Sequence, residues 1–102
     1  MVFDLKQKES LKKDLVSCLS GDQEIQRIVI FGSFVGSSSP EDMDVAVFQN
    51  SAEPYLSLAV KYRRQTRSIS RRIPLDIIPL RAGVTDDPFL KEVERGETVY
   101  ER

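Results

Sequence analysis

The sequence predicts an α/β (α+β) fold in which helices alternate with strands around one sheet. Three observations predict it. The runs "IQRIVIF", "MDVAVF" and "IPLDIIPL" are rich in β-branched residues and bounded by turn formers, as strands are. The stretches beside them carry apolar residues at helical spacing or open and close with helix-terminating signals. The chain has 102 residues, 40% hydrophobic and 30% charged, which suits one small globular domain spanning 1–102.

Residues 4–20 place Leu5, Leu11, Leu15, Cys18 and Leu19 near one helical face. Asp4/Lys8 and Glu9/Lys13 are i,i+4 pairs with the acid first, the favourable order, and Gly21 is a natural stop. Residues 25–31 form a strand that ends in a tight turn at Gly32. Residues 43–48 form a second strand, with Asp44, Ala46 and Phe48 on one face and Met43, Val45 and Val47 on the other. After the loop "QNSAEP", Pro54 suits the first turn of a helix running to about Arg72. Residues 73–80 form a third strand, which two prolines push towards a sheet edge. "RAGVTDDP" is a loop, "FLKEVERG" a short helix ending at Gly96, and "ETVYER" a last strand or tail. No repeat, low-complexity segment or interdomain linker interrupts this order.

Several functions are excluded early. Net charge is −1, so any nucleic-acid role must come from a local patch. "IVIF" and "VAVF", the longest apolar runs, are far too short for a bilayer, and the charged opening "MVFDLKQK" does not read as a signal peptide. A single Cys18 allows no internal disulfide, so a reducing cytoplasm is the expected setting; Cys18 itself reads as a core residue. Histidine is absent, which removes serine-type triads and His-ligated zinc. A site in this chain must run on carboxylates.

Asp42 and Asp44 are two apart on an extended segment, so their side chains leave one face. Such a pair repels itself unless a hard cation such as Mg²⁺ accepts oxygens from both, and Mg²⁺ completes its shell with waters and phosphates. Gly32 permits close backbone approach, and a helical turn begun at residues 33–36 would turn its N–H groups towards a phosphate, with the Ser33 hydroxyl beside them. Asp76 sits among apolar neighbours in "PLDII", where an ionised carboxylate needs a cation. Three such acids can hold two metals in the manner of phosphoryl or nucleotidyl transfer. Competing motifs fail on spacing: no Lys follows a glycine loop, Gly32 and Gly36 do not form a dinucleotide fingerprint, and Ala46 and Val47 stand where an EF-hand needs a ligand and a glycine.

On "FGS" (31–33), "DMDVAVF" (42–48), "PLDIIPL" (74–80) and "FLKEVERGETVYER" (89–102), the chain resembles a minimal nucleotidyltransferase of the DNA polymerase β superfamily, the MNT class encoded beside HEPN partners. The resemblance implies a small mixed β-sheet with helices packed on it. By position it implies that Gly32 and Ser33 bind the nucleotide triphosphate, that Asp42, Asp44 and Asp76 are the metal-binding and catalytic acids, and that Asp76 helps activate the incoming hydroxyl. It implies Mg²⁺ as cofactor, ATP or another NTP as substrate, and a HEPN-type partner protein whose tyrosine accepts AMP. A binding module that sequesters such a partner without transfer is the alternative. One departure stands out. Eight residues, "FVGSSSPE", separate Ser33 from Asp42, fewer than the family usually has, and they lack its arginine phosphate clamp.

Blander readings stand beside these. Asp42 and Asp44 also suit a turn after Pro40, and Asp76 also suits pairing with an arginine of the preceding helix. That helix carries Lys61, Arg63, Arg64, Arg67, Arg71 and Arg72 with no acid from Pro54 to Leu75. It reads either as a solvated face or as a surface for triphosphate, RNA or an acidic partner. The tyrosines read as packing residues, with Tyr100 the one candidate for self-modification.

Overall fold

The computed structural model describes residues 2–102. Five helices and four strands are found among them: α1 (Leu5–Leu19), β1 (Ile25–Phe31), α2 (Ser33–Gly36), β2 (Met43–Gln49), α3 (Tyr55–Gln65), α4 (Arg67–Ser70), β3 (Leu75–Arg81), α5 (Leu90–Glu94) and β4 (Glu97–Glu101). The strands form one mixed sheet in the order β3-β2-β1-β4. β1 pairs antiparallel with both β2 and β4, whereas β3 lies parallel to β2. The parallel pair needs a crossover, and α3 and α4 supply it. The mixed sheet with packed helices is the architecture the sequence implies, and the tail 97–102 includes a true strand.

Strand alternation divides the core between the two sheet faces. Ile28, Ile30, Met43, Val45, Val47 and Ile77 point to a thick layer built with Leu11, Leu15 and Leu19 of α1, Phe34 of α2, Leu58 and Tyr62 of α3 and Ile69 of α4. Val29, Phe31, Ala46, Phe48 and Leu80 point the other way, to a thinner layer closed by Val93 of α5. Asp44 and Asp76 share the parity of this second set, so alternation places both acids on the lightly covered face.

Helix α1 differs from its sequence pattern in two ways. Leu5 is 76% exposed, and buried Phe3 takes the place expected for it in the core. Asp4 does not pair with Lys8; it caps the helix reciprocally with Gln7. Lys8 reaches instead across to α2, where its ammonium donates to the Phe34 carbonyl at 2.7 Å and to the Ser37 carbonyl. Glu9 pairs with Lys12 rather than Lys13, and Lys12 also bridges to Glu97 at 3.0 Å.

The helix expected over 54–72 breaks at Thr66. Its hydroxyl donates to the Tyr62 carbonyl at 2.7 Å, and its backbone leaves helical geometry at φ −106, ψ 18. A hydroxyl that back-bonds its own helix competes with the ladder. The break interrupts the stripe of Arg63, Arg67 and Arg71, which remain exposed.

Glu24 ties α3 to the start of β1, accepting from Lys61 Nζ at 2.7 Å and from the Tyr62 hydroxyl at 3.3 Å. Burial alone would raise the Glu24 pKa, yet the Lys61 hydrogen bond and charge, with a backbone bond and the Tyr62 hydroxyl, bring it below the ordinary value. An acid whose folded pKa is depressed stabilises above its unfolded pKa and stops doing so as pH falls through the folded one. Glu24→Gln should therefore cost about 0.5–1 kcal/mol at pH 7, a figure held down by solvent around Lys61. The difference from wild type should shrink in acid, as urea unfolding at neutral and acidic pH would show.

Candidate metal centre

Strand β2 leaves Asp42 just before its first residue and Asp44 two positions on, both half-buried. Parallel pairing then sets Asp44 directly against Asp76 of β3. Each of the three acids offers one carboxylate oxygen, and these oxygens lie within 4.8 Å of one another. Their apolar neighbours on the strand suggest an enclosed Asp76, but it is exposed, because β3 is an edge strand and Asp76 lies near its start. No arginine satisfies it. Arg72 pairs with Asp14 at 2.6 Å, and none of the three acids joins an ion pair among the described residues.

Burial raises the Asp44 pKa above the usual carboxylate value, and the charges of Asp42, Asp76 and Glu92 push it further. An all-oxygen donor set, mutually repelling and without a protein cation, matches what a hard divalent ion requires. The three side chains fit such a metal, and they could hold one.

Gly32 ends β1 and faces the cluster. It adopts φ 78, ψ −154, a conformation essentially confined to glycine. A Cβ there would lie 2.5 Å from Asp44 Oδ2, so only a residue without a side chain lets the turn pass the carboxylate. Ser33 follows as the first residue of α2, and its hydroxyl makes a long 3.5 Å contact with Asp42 Oδ1. The two bonds from Lys8 brace the far end of this turn against α1.

Two residues, one beside the cluster and one beside the Gly32 turn, carry no local signal in the sequence. Glu92, on α5, is close enough for its charge to act on Asp44. Arg95, one helical turn on, shares with Glu92 a cavity of about 470 Å³ bordered by Gly32, Val35 and Gly36. Both reach the site through packing. Gly96 sits so close to β1 that a Cβ would strike the Ile30 carbonyl and approach Phe31 Cβ to 2.8 Å. This contact swings α5 over the end of the sheet where the acids gather.

A model of the polymerase β nucleotidyltransferase family matches residues 13–102. The chain belongs to that family. No curated protein matches it in sequence. Among solved structures, the nucleotidyltransferase fold is shared with a chain of the complex between tri-AMPylated Shewanella oneidensis HEPN toxin and MNT antitoxin; the TM-score is 0.62 at 17% identity, covering 93% of this chain and 73% of that one. A chain of the MntA–HepT toxin–antitoxin gives 0.60 at 12% identity, covering 92% and 73%. A protein from Sulfolobus solfataricus described as a nucleotidyltransferase gives 0.55 at 19%, covering 96% and 83%. The resemblance carried by the glycine-serine step and the three acids is thus borne out at the level of family and fold. Among the described residues, no helix is long and apolar enough to cross a membrane.

Proposed function

We propose that this nucleotidyltransferase-family chain transfers AMP from ATP, with Mg²⁺, to a hydroxyl on a HEPN-type partner protein. The observation that carries the proposal is the convergence of Asp42, Asp44 and Asp76 beside the Gly32 turn, in a chain of this family. HEPN complexes among the structural neighbours support the choice of partner, and the tri-AMPylated toxin in one of them supports the choice of AMP.

The three carboxylates would hold the cation, and Gly32 with Ser33 would receive the triphosphate tail. A bound Mg²⁺ supplies electrostatic chemistry, polarising phosphoryl oxygens and offsetting their charge. Asp76, the exposed member, is open to an arriving hydroxyl and takes its proton. The hydroxyl oxygen bonds to the α-phosphorus as the link from that phosphorus to the bridging oxygen breaks, and pyrophosphate departs with the electron pair. Asp42 and Asp44 would hold the cation whose positive charge offsets their repulsion of the phosphate and steadies it for in-line attack.

Labelled ATP, Mg²⁺ and the product of the adjacent gene are the reagents for the test. The partner should gain the mass of one or more AMP groups, and Asp42→Asn should lower the rate by about a thousandfold, the scale of losing a preorganised electrostatic contact. Unchanged labelling by Asp42→Asn would sink the assignment. A stable complex without any label would instead favour sequestration of the partner, a reading that the absence of Lys and Arg between Gly32 and Asp42 supports. Arg63, Arg64, Arg67 and Arg71, exposed and outside any ion pair among the described residues, support a further contact with RNA or an acidic partner surface.

A further inference from the structure

We propose that Arg95 binds the β- and γ-phosphates of the nucleotide, in the cavity that α5 closes against the Gly32–Gly36 turn; this rests on the nucleotidyltransferase reading above. The cavity is about 470 Å³ and is bordered by Gly32, Val35, Gly36, Glu92 and Arg95. It adjoins the acid cluster through Gly32, where an added Cβ would meet the Asp44 carboxylate at 2.5 Å. No aromatic side chain borders it, so a base finds nothing to stack on; Arg95 is the group there that suits phosphate, set against the opposing charge of Glu92.

Charge makes the same case. Asp42, Asp44, Asp76 and Glu92 gather at this end of the sheet, and none of them has an ion-pair partner among the described residues. A polyphosphate entering here meets repulsion that a cation held by the three acids would relieve only locally. The turn itself offers no cation, since no Lys or Arg lies between Gly32 and Met43. Lys8 is near but committed to the Phe34 and Ser37 carbonyls. Arg95 is the cation that borders the cavity. It is exposed, and its guanidinium makes no hydrogen bond or ion pair among the described residues. Its anchorage is firm even so. Gly96 is pressed against Ile30 and Phe31, and Glu97 pairs in register with Ile30, two residues before Gly32. Arg95 and the turn therefore spring from one strand end. A planar fork of donors held there matches the geometry of adjacent phosphate oxygens.

Calorimetric titration of the intact chain with ATP, AMP and inorganic tripolyphosphate, each with Mg²⁺, tests the assignment. Arg95→Ala and the length-conserving Arg95→Gln should each weaken ATP and tripolyphosphate about tenfold, the scale of one charge-assisted contact. AMP affinity should not change. Because Arg95 has no protein partner, both variants should keep the wild-type unfolding midpoint. Variants that bind ATP as tightly as wild type, or that lose ATP and AMP equally, would overturn the role of Arg95 and leave the nucleotidyltransferase reading intact. Wild type that binds neither ATP nor tripolyphosphate would overturn both.

Discussion

Asp44→Asn should make the metal-free protein more stable and its unfolding indifferent to divalent cations. Asp44 lies directly across from Asp76, and burial together with the charges of Asp42, Asp76 and Glu92 raises its pKa. An acid whose folded pKa is raised holds more protons folded than unfolded, so the fold loses stability as pH climbs from the unfolded pKa through the raised one. Asparagine removes that loss. Relief of like charges on paired positions is worth roughly 0.2–1 kcal/mol. The response to metal should change in the opposite sense. A cation present at ten times its Kd stabilises wild type by about 1.4 kcal/mol, or roughly 6–11 °C in a domain of this size. The variant should show almost none of this. Calorimetric melts with and without Mg²⁺ check both halves, and a variant that keeps the wild-type metal response would remove Asp44 from the metal centre.

Gly32→Ala should damage fold and site together. At φ 78, ψ −154 a side chain costs about 1–3 kcal/mol in backbone strain alone. The new methyl would also sit 2.5 Å from Asp44 Oδ2, so either the carboxylate swings out of the cluster or the turn lifts off β2. Each escape separates the acids from the Gly32 turn. The expected result is an unfolding free energy lower by about 2 kcal/mol or more, with the Mg²⁺-dependent rise in melting temperature largely lost. Gly36→Ala is the control, since a Cβ there meets nothing within 4 Å. If Gly32→Ala matched that control, the close approach of Gly32 to Asp44 would not matter to the site.

Much of this site was legible because its signals are local. Alternation in "MDVAVF" puts Asp44 opposite in facing to Met43 and Val45, and the two core layers divide as that pattern predicts. The prolines of "IPLDIIPL" mark an edge strand, and β3 is one. What escaped depends on contacts between distant segments. Nothing around Lys8 announces carbonyls of residues 34 and 37 as its partners. Nothing in "FLKEVERG" reveals that Gly96 nests against β1, that the Glu92 charge acts on Asp44, or that Arg95 borders a cavity beside Gly32. Asp76 is misjudged although the prolines mark the edge: its apolar neighbours suggest enclosure, yet near the start of an edge strand its side chain is exposed. Helical periodicity erred at Leu5 and Thr66, where a capping box and a hydroxyl bonding back along the helix overrode it.

The parallel alignment of β2 with β3 fixes when these acids can meet during folding. Asp42 and Asp44 arrive with the hairpin of β1 and β2, a short-range event, whereas Asp76 joins only after the α3–α4 crossover has closed. A nascent chain that has not yet released β3 therefore holds two of the three candidate ligands. Any ion that requires all three oxygens reads completion of the tertiary structure, and its grip falls on the escape rate from the native state rather than on the speed of reaching it.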